Sequence, residues 1–135
     1  MKRQFVDTNV FLRFLTRDEE AGYRYCENLF RKAVAGKAML FTTELVIAEI
    51  VWTLSSYYEL GKREVIEKVS LILNTQNLEV TNKGVLLDAL ALYQSEKIDF
   101  IDAYNAIVAR RHGIDEIHSF DRHFDDVPFL KRIPG

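Results

Sequence analysis

Short segments with the pattern of β-strands alternate along this chain with longer segments of helical periodicity. Residues 2–6 have the pattern of a strand, and the apolar residues that follow recur at helical spacing: Val10, Phe11, Phe14 and Leu15. Further strand patterns at 38–42, 78–80, 116–120 and 129–133 are separated by helical patterns. Strands separated by helices favour a parallel sheet covered by helices on both faces. The sequence therefore predicts an α/β fold of three α/β/α layers with a central, mostly parallel sheet.

The length and composition suit one globular domain. The chain has 135 residues, 48% of them hydrophobic and 28% charged, which is too apolar for a disordered chain. We expect residues 1–135 to form a single domain. The single cysteine, Cys26, excludes an intrachain disulfide and a cysteine-based zinc site. The chain contains no 18-residue apolar run and no signal-peptide layout at its start, so we expect no membrane association and a cytoplasmic location.

The predicted helix at 43–58 contains one acid in an apolar run. The run extends from Leu45 to Trp52, and Glu49 has three apolar residues on each side. A helix that is apolar all round is expected in the centre of a domain. A buried carboxylate is costly and needs a partner, either a metal ion or a basic side chain. A narrow exposed face of the helix is the alternative explanation.

Two further acids follow predicted strands. Asp7 lies between the strand at 2–6 and a helix, and Asp121 follows the strand at 116–120. Ligands of open α/β sheets bind beyond the carboxyl ends of the strands, which favours a site role for both residues. The alternative for Asp7 is a helix N-cap, because Asp is a favoured capping residue, and we give the two interpretations equal weight.

Asp102 comes three residues after Asp99 at the start of another predicted helix. The spacing is typical of a local capping pair, with Asp99 as the N-cap. It also places Asp102 in the first turn, among the apolar residues Phe100, Ile101 and Ala103. Capping is therefore the better interpretation for Asp99, and a site role is the better one for Asp102.

These four acids together predict a centre for a hard divalent cation. Mg²⁺ takes oxygen ligands, usually a few carboxylates together with water and substrate phosphates. Several carboxylates in one place would repel one another without such an ion. The net charge of −2 neither supports nor forbids a polyanionic substrate, since it becomes +2 when the four carboxylates are set aside.

Four segments resemble the acidic motifs of PIN domains. Residues 5–12 (FVDTNVFL) resemble the opening of that family, and 46–52 (VIAEIVW) resemble its second acidic motif. Residues 100–103 (FIDA) and 119–124 (SFDRHF) are similar to the third and fourth motifs. The resemblance covers the whole chain in the right order, and within the family the chain looks most like the VapC toxins.

The resemblance implies a Mg²⁺- or Mn²⁺-dependent endoribonuclease with Asp7, Glu49, Asp102 and Asp121 as catalytic and metal-binding acids. Asn9 matches a position that supports the first acid, and the Ser119 hydroxyl stands where it could orient a carboxylate or water. The expected reaction is in-line attack of water on an RNA phosphodiester, which leaves a 5′-phosphate and a 3′-hydroxyl. The expected partners are RNA, a second copy of the chain and a VapB-like antitoxin, with operator DNA bound only through the antitoxin.

Five arginines are candidates for contacts to RNA phosphates: Arg13, Arg17, Arg110, Arg111 and Arg122. A solvated surface cation explains each of them equally well. We expect Cys26, Trp52 and most phenylalanines in the core. The three histidines are expected at the surface or at helix ends.

Two other functions remain open at this point. A phosphatase could use Asp7 as its nucleophile, although Asn9 stands where the haloacid dehalogenase type needs a second Asp. A binding module or co-repressor could keep the fold without catalysis. Activity on a generic aryl phosphate and Mn²⁺ binding would separate these alternatives from a ribonuclease.

Overall fold

A computed structural model describes residues 1–134, and Gly135 lies outside the described residues. The chain divides into two units, Met1–Lys83 and Gly84–Gly135. We refer to these as the first and second units. That the whole chain forms a single domain stays a prediction. Among the described residues, no helix is long and apolar enough to cross a membrane.

The first unit contains a three-stranded parallel sheet. Its strands pair in the order β1-β2-β3, with Gln4 opposite Leu40 and Leu40 opposite Leu78. Two helices connect each pair of successive strands, as parallel pairing requires. In chain order the elements are β1 (Arg3–Phe5), α1 (Thr8–Thr16), α2 (Glu20–Val34), β2 (Met39–Thr42), α3 (Glu44–Ser56), α4 (Lys62–Leu73) and β3 (Leu78–Val80).

The second unit begins within helix α5 and ends in a two-stranded parallel sheet. Its strands β4 and β5 pair with Ile117 opposite Arg132. The elements are α5 (Lys83–Ser95), α6 (Phe100–Arg111), β4 (Glu116–His118), the 3₁₀ helix Arg122–Asp126 and β5 (Lys131–Ile133). Every strand pair in residues 1–134 is parallel, which confirms the predicted α/β class.

Local residue choices explain several helix ends. Asp7, Glu19 and Thr43 are the N-caps of α1, α2 and α3, and each side chain accepts a backbone N–H from the first turn of its helix. Arg17 is the C-terminal cap of α1, and its φ of 53° is the left-handed conformation typical of that position. These caps fix the points at which Asp7 and the start of α3 leave the sheet.

The buried side chains agree with the predicted periodicity of α2 and α4. Cys26 is 1% exposed on α2, and Val65, Val69 and Leu73 of α4 are fully buried. The prediction that Cys26 belongs to the core is therefore confirmed. Phe11, Phe30, Phe100 and Phe124 are also buried, as expected.

The expectation that helix α3 is buried on all sides is wrong. Leu45 is 77% exposed and Trp52 is 65% exposed, so Trp52 is a surface residue. Both lie on one face of α3, because positions seven apart are two turns apart. The opposite face is buried through Ile47, Ile50 and Leu54. Apolar composition did not distinguish these faces, and neither did it identify Phe5 and Phe120 as exposed.

Candidate functional site

Asp7 and Glu49 of the first unit are joined through Thr8. Asp7 comes just after β1 and directly after Val6. The N–H of Val6 donates to the Phe41 carbonyl of the neighbouring strand β2. The N–H of Thr8 donates to Asp7 Oδ1 at 2.8 Å, and the Thr8 hydroxyl donates to Glu49 Oε1. One residue at the start of α1 therefore contacts both carboxylates.

Glu49 is exposed, so the argument that burial forces it to find a partner is wrong. It lies on the exposed face of α3, between Leu45 and Trp52, and this is the alternative that the sequence left open. Its hydrogen-bond partner is a hydroxyl instead of a basic side chain. Asp7 is the N-cap of α1, so the capping interpretation holds for it, and a cap at a strand end is also placed to bind a cation.

Asp102 and Asp121 of the second unit interact with each other. Asp102 lies in the first turn of α6 and is half-buried, and Asp99 is the N-cap without a side-chain capping bond. Burial raises the pKa of Asp102, and the carboxylates of Asp121 and Asp99 raise it further. The two acids thus meet in one place although they come from different elements.

The Asp121 side chain is held by its own loop. Its Oδ1 accepts the backbone N–H of His123 at 2.9 Å, and His123 Nδ1 lies 3.0 Å from the same oxygen. The N–H of Asp121 donates to the Ser119 hydroxyl at 3.0 Å. The backbone N–H of His123 lowers the pKa of Asp121, and the nearby His123 side chain lowers it further. Ser119 thus contacts the backbone N–H of Asp121, whereas the sequence predicted that its hydroxyl orients a carboxylate or water.

The donor chemistry of both pairs fits a hard divalent cation, because each supplies carboxylate oxygens. Within residues 1–134, no three Asp, Glu, His or Cys side chains are grouped closely enough to hold a metal ion. Each unit thus contains a pair of acids. Mg²⁺ is usually bound through one or two carboxylates, with water and phosphate as its other ligands.

Four of the five candidate arginines have partners inside their own unit. Arg13 pairs with Glu19 at 2.7 Å, and Arg17 pairs with Glu20 and lies over the Tyr23 ring. In the second unit, Arg110 lies 4.6 Å from the centre of the Phe129 ring, and Arg111 pairs with Asp88 at 2.7 Å.

Arg122 differs from the other four arginines. It is exposed, it directly follows Asp121, and within residues 1–134 it has no ion-pair partner. It is therefore the arginine with most freedom to contact a phosphate.

Sequence reasoning missed Thr8 and His123. Asn9 was predicted to support the first acid, but it is exposed, and the contacts to Asp7 and Glu49 come from Thr8. Local sequence indicates a cap at Asp7. The hydrogen bond from Thr8 to Glu49 joins positions 41 apart, so it depends on how α1 packs on α3. The expected exposure of His112, His118 and His123 is confirmed, although His123 also contacts Asp121.

Comparison with known proteins identifies the family. The PIN domain model matches residues 5–130. A VapC ribonuclease of Aquifex aeolicus is 32% identical over 126 residues, which cover 93% of each chain. Ribonuclease VapC13 of Mycobacterium tuberculosis is 30% identical over 112 residues, which cover 79% of this chain and 82% of that protein. Among solved structures, the Mycobacterium tuberculosis toxin VapC20 covers 96% of this chain at 20% identity, with a TM-score of 0.42.

The matched residues include all four acidic motifs, from the strand before Asp7 to the loop after Asp121. The resemblance drawn from those motifs is thereby confirmed. The chain belongs to the PIN domain family, and its relatives there include VapC ribonucleases.

Proposed function

We propose that the protein is a Mg²⁺- or Mn²⁺-dependent endoribonuclease, the toxin of a VapBC-type pair. Its catalytic and metal-binding acids are Asp7, Glu49, Asp102 and Asp121. Membership of the PIN domain family and relatives named VapC ribonucleases support the activity.

The interaction between Asp102 and Asp121 carries the proposal. Burial raises the pKa of Asp102, and repulsion from the nearby Asp121 carboxylate raises it further. A divalent cation favours both ionised forms at once, which gives such a pair a use beyond folding. A purely structural role would be better served by an acid and a base.

Each residue has a distinct part in the reaction. A bound divalent cation supplies Lewis acidity for water activation and neutralises phosphate charge. Asp7 and Glu49, held by Thr8, and Asp121, held by the His123 N–H, provide fixed oxygen ligands. Asp102, in the first turn of α6 beside Asp121, completes the set of carboxylates that would hold the cation. Arg122 provides a free guanidinium for an RNA phosphate.

The same family relationship supports three partners. We propose RNA as the substrate, a second copy of the chain in a homodimer, and a VapB-like antitoxin as the inhibitor. Operator DNA is expected to be bound only through the antitoxin. Co-expression with the product of a short neighbouring gene, followed by size-exclusion chromatography with light scattering, tests both protein partners.

The decisive experiment is RNA cleavage with added Mg²⁺ or Mn²⁺, with EDTA as the metal-free reference. Asp7→Asn, Glu49→Gln, Asp102→Asn and Asp121→Asn should each lower kcat by roughly 100-fold or more. Glu44→Gln is the matched control, because Glu44 lies on the same helix as Glu49 but contacts Thr81. The products should carry a 5′-phosphate and a 3′-hydroxyl.

Full cleavage in EDTA, or by Asp7→Asn, would contradict the assignment. Hydrolysis of a generic aryl phosphate without RNA cleavage would favour the phosphatase. Absence of both activities together with no Mn²⁺ binding would favour the binding module.

A further inference from the structure

Thr8 has two hydrogen bonds whose partners are both acids of the proposed site. Its backbone N–H donates to Asp7 Oδ1 at 2.8 Å, and its hydroxyl donates to Glu49 Oε1. The residue is 6% exposed, and Thr42 is the other buried polar residue among those described. A buried hydroxyl without a hydrogen-bond partner destabilises the folded state, so the fold itself favours the bond to Glu49.

The geometry of Thr8 makes this contact rigid. A β-branched side chain has few χ1 rotamers in a helix, so the direction of the hydroxyl is set by the backbone of α1. Helix α1 in turn packs on α3, which carries Glu49. Glu49 is exposed and has three side-chain torsions, so it would sample several rotamers without a fixed donor.

Thr8 also acts on both acids at once. Each accepts one donor from the same residue, and Asp7 lies at the positive end of α1. Both carboxylates are therefore oriented before a cation arrives, which lowers the reorganisation needed to bind it.

We propose that Thr8 is a positioning residue that sets the orientation of Asp7 through its N–H and of Glu49 through its hydroxyl. This inference rests on the proposed function, since it assumes that both acids bind a divalent cation. Groups that orient metal ligands typically change metal affinity or activity by 10–100-fold when they are removed.

A second Thr–Glu pair in the same unit provides a matched control. The Thr81 hydroxyl donates to Glu44 Oε2, and the Glu44 N–H donates to Thr81 Oγ1 at 3.1 Å. The chemistry is the same as at Thr8 and Glu49, and Glu44 is also on α3. Neither member belongs to the proposed site, so Thr81→Val removes an equivalent Thr–Glu hydrogen bond, together with the bond from the Glu44 N–H, without touching the acids of that site.

The test compares Thr8→Val, Thr8→Ser and Thr81→Val by three measurements on the full chain. These are Mn²⁺ affinity by calorimetry, kcat and KM for RNA, and the thermal midpoint by circular dichroism. Thr8→Val should weaken Mn²⁺ binding and lower kcat by about 10-fold each. Thr8→Ser should stay within about twofold of wild type for both, because it keeps the hydroxyl. Thr81→Val should lower only the thermal midpoint.

A double-mutant cycle separates positioning from stability. In a Glu49→Ala background, adding Thr8→Val should change kcat and Mn²⁺ affinity by less than about twofold, because the hydroxyl acts through the missing carboxylate. Wild-type Mn²⁺ affinity and kcat in Thr8→Val would overturn the proposal, and so would equal losses in Thr81→Val. If Thr8→Val does not fold, a loss of Mn²⁺ affinity in Thr8→Ser equal to that in Glu49→Ala would also overturn it.

The proposal and the proposed function can fail separately. If the wild-type protein binds Mn²⁺ but cleaves no RNA, the ribonuclease assignment fails. The Mn²⁺ affinities of the three variants then still decide the role of Thr8.

Discussion

Asp102 and Asp121 interact directly, and their pKa values move in opposite directions. Burial raises the pKa of Asp102, and the neighbouring Asp121 carboxylate raises it further. The His123 N–H lowers the pKa of Asp121, and the His123 side chain and the interaction with Asp102 lower it further. As pH falls, Asp102 therefore takes up a proton before Asp121 does.

Asp102→Asn is expected to stabilise the metal-free protein at pH 7. The folded-state pKa of Asp102 is raised, so its ionisation costs stability as pH rises from the unfolded value through the folded one. The amide removes that cost, and we expect the thermal midpoint in EDTA to rise by about 1–3 °C.

The gain should disappear below about pH 4, where wild-type Asp102 is itself protonated. Asp126→Asn, an exposed acid in the same unit, is the control and should change little. A lower midpoint for Asp102→Asn at pH 7 would contradict this account of the pair.

Lys68→Met is expected to destabilise the first unit by about 1 kcal/mol. Lys68 Nζ donates to the Leu15 carbonyl at 2.8 Å, near the C-terminus of α1, where the helix dipole favours a cation. Its side chain is 27% exposed, which weakens solvent screening. Urea denaturation should show a lower midpoint with an unchanged slope. Arg63→Met, at a 93% exposed side chain on the same helix, should leave the midpoint within experimental error.

Arg122→Ala should weaken RNA binding, whereas Arg13→Ala should not. Arg122 has no ion-pair partner among residues 1–134, and Arg13 already pairs with Glu19. Loss of one phosphate contact lowers the slope of log affinity against log salt by about 0.7 for a single strand. The measurement is a salt titration of binding in the Glu49→Gln background, where cleavage is suppressed. An equal loss in both arginine variants would place the contact elsewhere.

The Cys26 thiol should react with aromatic disulfides only after unfolding. It is 1% exposed, and burial raises its pKa, so little thiolate is present at pH 8. We expect a rate at least about 100-fold below that of a free thiol. Asn28→Cys in a Cys26→Ser background places the thiol at an exposed position of the same helix, and its rapid reaction is the control.

Elements were predictable from the sequence where periodicity and burial coincide. Helix α4 is an example, since Val65, Val69 and Leu73 recur at intervals of four residues and are all buried. Helix α3 is the opposite case, because apolar residues occupy both its buried and its exposed faces. Which face packs on the protein depends on its neighbours, which a local pattern does not contain.

The local placement of three acids was predictable, since Asp7 and Asp121 follow strands and Asp102 lies in the first turn of a helix. Their supporting contacts were not. The bond from Thr8 to Glu49 spans 41 positions, and His123 meets Asp121 through a 3₁₀ turn with little sequence signature. The prediction of Glu49 rested on burial that the structure does not have, so the residue was selected for a reason that does not apply.

The exposure of Trp52 gives this protein an intrinsic optical reporter. It is the single tryptophan of the chain, and it lies one turn from Glu49 on the same exposed face of α3. A solvated indole emits at long wavelength, and its fluorescence is quenched by paramagnetic ions and shifted when a partner covers it. Steady-state emission of the unlabelled chain therefore reads out Mn²⁺, RNA or protein arriving beside Glu49.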